Sequence, residues 1–174
     1  MKKFFFITMV LFISFLMIGT QSIEAQAKST RHAEASKFGF IFGYGVDAKN
    51  VLNTFTGEFT YDMVEGPNIT TKLSLTKEEL QRIQQKMVEI DFFSYPDTFQ
   101  IKVPMDNRVE VIPYGSYYYE VHSGAKVKKL WWAAYIRNKN DQADKLRELA
   151  NLIRECIESK DAYKALPEPR SAYW

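Results

Sequence analysis

Cysteine is almost missing from this chain. Cys156 stands alone, so an intrachain disulfide framework and a Cys-rich zinc or iron–sulfur site are both excluded. Histidine is nearly as scarce, with His32 and His122 as the two examples. A serine triad needs a base held against its nucleophile by a third group. His32 falls in a small, polar leader, and His122 sits at a strand end beside a turn, where it reads as solvated. No Gly-x-Ser-x-Gly elbow is present, which removes hydrolases of that kind. Charge of one sign is lacking too: 23 basic residues face 21 acidic ones, a net of +2. Nucleic-acid binding calls for a clear basic surplus, so none is expected.

Several motifs fail on inspection. Gly39, Gly43 and Gly45 lack the spacing and the following helix of a dinucleotide site. The run Asn138-Lys139-Asn140-Asp141 starts like a calcium loop, but its sixth position is Ala143 and its twelfth Leu149, where glycine and glutamate are required. Leu166-Pro167-Glu168-Pro169 begins like a wall-sorting signal and lacks the Thr-Gly that completes one. No metal and no cofactor are expected.

What is present is apolar and aromatic. Hydrophobic residues make up 46% of the 174, aromatics 15% and charged residues 25%, a balance that a folded domain needs and a disordered chain does not have. The N-terminus reads as an address. Lys2 and Lys3 precede the apolar run Phe4 to Ile18, Gly19 breaks it, and Ala25-Gln26-Ala27 closes a polar stretch. That order predicts a secretory signal peptide over residues 1–27, cleaved after Ala27. The run is shorter than the roughly 20 residues of a spanning helix. The alternative is the same segment retained as an N-terminal anchor, and either way the domain lies outside the cytoplasmic membrane. No cysteine follows the run, so lipid anchoring is not expected.

Residues 28–37 are expected to be a disordered leader, 38–159 a single α+β domain, and 160–174 an extended tail with two prolines. Two helices are predicted. Thr76 and Glu79 form a capping box for Lys77 to Ile90, whose Leu80, Ile83, Met87 and Ile90 make one apolar stripe. Asp141 is expected to cap Gln142 to Ser159, with Leu146, Leu149, Ile153 and Cys156 or Ile157 facing inward. Strands are predicted over Phe38 to Tyr44, Thr54 to Val64, Ile69 to Leu75, Arg108 to Pro113, Ser116 to His122 and Val127 to Tyr135. Gly66-Pro67-Asn68, Gly115 and Ser123-Gly124 supply turns. The expected fold is α+β, an antiparallel sheet of about five to six strands with two helices packed on one face.

The hairpin leading into Leu73-Ser74-Leu75-Thr76-Lys77-Glu78-Glu79-Leu80, then Ile90-Asp91-Phe92-Phe93 and Tyr95-Pro96, then a meander and a closing helix, resembles small uncharacterised exported proteins of Gram-positive bacteria. The resemblance covers residues 38 to 158 and rests on layout. It implies the sheet-plus-helix fold and the extracytoplasmic setting, and no activity.

The most informative region is aromatic and basic. Tyr117, Tyr118 and Tyr119 precede Lys126, Lys128 and Lys129, and then Trp131 and Trp132. Strand side chains alternate, so Tyr117 and Tyr119 share one face and Tyr118 takes the other, and Trp131 and Trp132 also divide. Tyr117, Tyr118, Tyr119, Lys128, Trp131 and Trp132 are the candidate binding residues. Exposed aromatics beside lysines suit a protein surface or an envelope polymer. The expected function is a non-enzymatic binding module of the bacterial envelope or medium. The alternatives are a hydrolase-like enzyme using loop carboxylates, among Asp62, Asp91, Asp97 and Asp106, or an accessory structural domain without a ligand.

Overall fold

The computed structural model describes residues 38–173. The expected signal segment, the leader with His32, and Trp174 lie outside the described residues.

Seven strands form one sheet: β1 (Phe38–Tyr44), β2 (Asn50–Asn53), β3 (Glu58–Tyr61), β4 (Ile69–Lys72), β5 (Thr98–Phe99), β6 (Ser116–Ser123) and β7 (Lys126–Ala133). Their order is β4-β3-β2-β1-β6-β7-β5. The helices are α1 (Lys77–Glu89), α2 (Asp141–Glu158) and the short α3 (Asp161–Lys164). Among the described residues, no helix is long and apolar enough to cross a membrane.

Alternation in the strands builds the core. In β1, Phe40, Phe42 and Tyr44 are buried on the face that meets the helices, while Gly39, Ile41 and Gly43 point the other way. Registered beside them are Leu52 and Phe59 on one side and Tyr119, Leu130 and Trp132 on the other, all buried. The helices supply Ile83 and Met87 from α1 and Leu146, Leu149, Ala150, Ile153, Cys156 and Ile157 from α2. Both long helices thus share one core with the sheet. At the rim Lys86 of α1 pairs with Glu148 of α2 at 2.7 Å, and Lys160, just past the end of α2, pairs with Glu79 of α1 at 2.6 Å.

The α1 capping box forms as expected: the Glu79 amide donates to Thr76 Oγ1 at 3.2 Å, and the Thr76 amide donates to Glu79 Oε2 at 2.7 Å. At α2 the cap is Asn140 rather than Asp141. Asn140 has extended backbone angles, and its Oδ1 accepts from the Ala143 amide at 2.9 Å, whereas Asp141 is already helical.

The sheet departs from expectation in three places. The stretch 54–64 is not one strand. The Asn53 side chain accepts from the amides of Phe55 and Thr56, and Gly57 adopts a left-handed φ of 64°, so a tight turn divides β2 from β3. The run 108–113 forms only an isolated bridge, Glu110 with Ile136, because Pro113 has no amide to give and Ile112 faces solvent. Residues 98–99 instead form β5, and it pairs parallel with β7 through Thr98↔Trp131 and Phe99↔Trp132. Among the described residues the fold is α+β, as expected; its sheet has seven strands and is mixed rather than a wholly antiparallel one of five or six, and the short α3 joins the two expected helices.

The tail is not simply extended. Within α3, Tyr163 packs on Phe59 and Tyr61, both at 5.8 Å between ring centroids. Tyr173 donates to Asp62 Oδ2 and accepts from Lys49 Nζ, each at 2.8 Å. These aromatic and polar contacts hold the segment against β2 and β3.

Two glycines in β1 shape the face opposite the helices. A Cβ on Gly43 would lie 2.9 Å from the Ala48 carbonyl oxygen and 3.3 Å from Tyr118 Cβ, so the turn through residues 45–48 sits directly on it. A Cβ on Gly39 would meet only the ring edge of Phe55, at 2.6 Å. Gly43→Ala is accordingly expected to destabilise the fold by about 1–3 kcal/mol, because backbone must move. Gly39→Ala should cost less, since the Phe55 ring can swing away. Urea unfolding of the two variants side by side checks the ordering.

Candidate binding surface

On the face away from the helices, β6 and β7 bring three cross-strand pairs into a row: Tyr118 with Trp131, Glu120 with Lys129, and His122 with Val127. At one end the Tyr118 and Trp131 rings lie 6.5 Å apart, inclined at 46°. At the other end Phe55 reaches over Gly39 and sets its ring against His122, centroids 4.9 Å apart in an edge-on arrangement. Phe55, Val127 and Trp131 are 51%, 56% and 38% exposed, so the row presents apolar surface at both ends.

A carboxylate occupies the middle. Glu120 Oε2 accepts from Tyr118 Oη at 2.8 Å and pairs with Lys129 Nζ at 3.0 Å, and Oε1 lies 3.1 Å from His122 Nε2. The Lys129 ammonium, followed by the contacts from His122 and Tyr118, holds the Glu120 carboxyl down at about 2. Burial, reinforced by the Glu120 contact, pushes the Tyr118 phenol up to about 12. At neutral pH the row therefore reads as an aromatic pair with a neutral hydroxyl, a fixed anion beside a lysine, and an apolar cluster around an imidazole.

The pH dependence has a definite sign. The folded-state pKa lies below the ordinary 4.5, so the Glu120 network stabilises the fold above that value and its contribution fades toward about 2. Lys129 is largely exposed and the pair is screened, so Glu120→Gln is expected to cost only about 1 kcal/mol at pH 7. The gap between variant and wild type should close as the pH is lowered from 5 to 2. Denaturant titrations of both proteins across that range check this, and a gap independent of pH would contradict it.

The six residues singled out from the sequence do not converge. Tyr118 and Trp131 lie on the open face. Tyr119 is fully buried, its hydroxyl donating to the Leu146 carbonyl at 3.4 Å, and burial raises its pKa well above normal. Trp132 is 1% exposed, stacked on Tyr117 at 5.2 Å and edge-on to Phe99 at 5.5 Å. Tyr117 closes the rim of the core. Lys128 also falls on the core side of β7, opposite Val121, where its ammonium pairs with the Asp97 carboxylate and its side chain is only 14% exposed. Glu120 and His122 were legible by the same alternation that separates Tyr118 from its neighbours. Phe55 was not, because it arrives from a turn far away in the sequence.

The loop carboxylates are engaged separately. Asp62 accepts from the Val64 amide and from Tyr173. Asp97 pairs with Lys128. Asp91 adopts a left-handed φ of 52°, and its side chain caps nothing; its carbonyl accepts from the Ser94 amide and hydroxyl instead. Asp106 lies in the exposed 105–107 turn. Among the described residues, no three His, Cys, Asp or Glu side chains gather closely enough to hold a metal ion.

No protein-family model, curated protein or solved structure matches the chain.

Proposed function

We propose that the chain is a non-enzymatic binding module acting outside the cytoplasmic membrane, and that it takes a protein or an envelope polymer across the Tyr118/Trp131 face. The observation that carries this reading is the row itself: two apolar ends flanking a fixed charge on a sheet face that the long helices leave uncovered. Aromatic side chains at such a place offer large contact area with little rotamer entropy to lose. The flanking charges set register and exclude mismatched partners.

Binding is favoured over catalysis by the state of Glu120. A general base works best with a pKa near the operating pH. A carboxyl held near 2, with three groups already on its oxygens, is a weak base and a poor proton donor at pH 7. The extracytoplasmic setting rests on the order Lys2-Lys3, apolar run, Ala25-Gln26-Ala27, and on the resemblance to exported proteins of Gram-positive bacteria.

The test is a pull-down with the immobilised full chain, run in parallel against culture-fluid proteins, detergent-solubilised envelope proteins and insoluble wall material. Retention by the wild type of one discrete protein, or clear retention on wall polymer, is the expected result. Equal retention by a Tyr118→Ala/Trp131→Ala variant would remove this face from the account.

A further inference from the structure

Among the described residues, Asp47, Ala48, Val64 and Asp91 adopt left-handed backbone although they carry a Cβ. That conformation is uphill for them, most of all for a β-branched residue. Asp47 and Ala48 are consecutive, with φ of 53° and 54°, in the turn between β1 and β2. Val64, with φ of 61°, is the centre of a three-residue turn after β3, closed by the Glu65 amide donating to the Met63 carbonyl at 2.6 Å. A γ-turn with a left-handed centre is rare and strained. Such conformations persist where their surroundings over-determine them.

One segment touches both turns. Residues 165–173 leave α3, where Tyr163 and Leu166 pack against the core, and run past the ends of β2 and β3. At the Val64 turn the Arg170 amide donates to the Met63 carbonyl at 3.2 Å, and Arg170 Nη1 reaches the Glu65 carbonyl at 3.5 Å. A Cβ on Gly66 would collide with that nitrogen. Tyr173 then joins the two turns. Its hydroxyl donates to Asp62 and accepts from Lys49, the residue after Ala48, and the Lys49 ammonium lies 5.0 Å from its ring centroid. Pro167, Glu168, Arg170 and Ala172 are exposed, so little apolar burial secures the segment, and it belongs to the least stable part of the structure.

The 45–48 turn borders the open face. Ala48 packs on Gly43 at a point that also faces Tyr118 Cβ, and the Gly45 carbonyl accepts from the Ser116 amide at 2.7 Å. Movement of this turn therefore disturbs backbone two residues from Tyr118.

We propose that residues 165–173 are a displaceable strap. Seated across Lys49, Asp62 and Met63, the strap holds both strained turns, and through the 45–48 turn it holds the Tyr118 end of the open face. Unseated, it lets Asp47, Ala48 and Val64 relax. Strap seating and partner binding at the open face are then coupled in both directions. That coupling rests on the open face being the binding face; the strap itself does not.

The test is amide hydrogen exchange, read by NMR on the ¹⁵N-labelled full chain. Tyr173→Phe keeps the ring and removes both hydroxyl contacts. It is expected to speed exchange at the Ala48, Ser116 and Glu65 amides by about tenfold, the scale of one charge-assisted hydrogen bond, and Tyr173→Ala by more. The Tyr119 and Val121 amides, further along β6, should not change. Glycine adopts left-handed backbone without the Cβ penalty. Adding Asp47→Gly to Tyr173→Phe should therefore restore slow exchange at Ala48 and Ser116, and adding Val64→Gly should restore it at Glu65. Loss of a mere surface contact would not respond to either glycine. Unchanged exchange in both Tyr173 variants, equal acceleration at Tyr119 and Val121, or no rescue by glycine would each overturn the strap. In the pull-down, Tyr173→Phe should retain less partner than wild type. Equal retention alongside faster exchange would overturn the coupling to the face, and the exchange result decides the strap even where nothing is retained.

Discussion

Trp132→Ala is expected to destabilise the fold by about 3–5 kcal/mol, whereas Trp131→Ala, one residue away, should cost about 1 kcal/mol. The two indoles have opposite surroundings. Trp132 is buried among Tyr117, Phe99 and the Arg147 guanidinium, so truncation empties a cavity that three fixed neighbours cannot fill. Its loss also frees Arg147, whose orientation depends on the ring. Trp131 is half-buried at the open face with Tyr118 as its aromatic contact, and water can enter the space it leaves. A domain of this kind has about 5–15 kcal/mol in total, so the first substitution consumes a large fraction and the second little. Urea unfolding followed by far-ultraviolet circular dichroism gives both values. Equal midpoints for the two variants would mean that the face assignment of β7 is wrong.

The second large effect concerns binding. Tyr118→Ala/Trp131→Ala is expected to weaken partner retention by about 100- to 1000-fold, the size reached when two central aromatic anchors are removed. The fold should survive, because neither side chain belongs to the buried core. Glu120→Gln supplies a graded companion. It keeps the shape of the row and removes the charge, so it should slow association and reduce salt sensitivity more than it raises the dissociation rate. Surface plasmon resonance with the retained partner, at two salt concentrations, separates these contributions. A double variant that binds as tightly as wild type would place the contact elsewhere on the molecule.

How far the sequence reveals the molecule depends on how local each signal is. The capping box at Thr76 and Glu79, and the stripes through Ile83 and Met87 and through Leu146, Leu149 and Ile153, are contained within a few turns of chain, and the helices follow from them. Alternation in β6 is equally local and separates Tyr118 from Tyr117 and Tyr119. Pairing is not local. β5 has two residues, too few for any periodicity, and exists because the Asp97 carbonyl and the strand itself meet β7. Lys128 reads as a surface lysine until Asp97 arrives beside it from the segment before β5. The Asn53 side chain ends β2 by accepting two amides, a turn chemistry hidden within a stretch rich in strand-forming residues. Phe55 joins the open face only because Gly39 leaves room beneath its ring. The face could therefore be half drawn from strand parity, and its other half waited on contacts between distant segments.

In the proposed function the open face of β6 and β7 meets the partner. The most direct measurement is residue-resolved hydroxyl-radical footprinting of the full chain, free and bound to the material it retains. Trp131, Tyr118 and Phe55 are expected to become protected on binding while the exposed Met105 and Ile112, on the 105–114 segment, keep their reactivity. Protection at Met105 and Ile112 with Trp131 unchanged would contradict it.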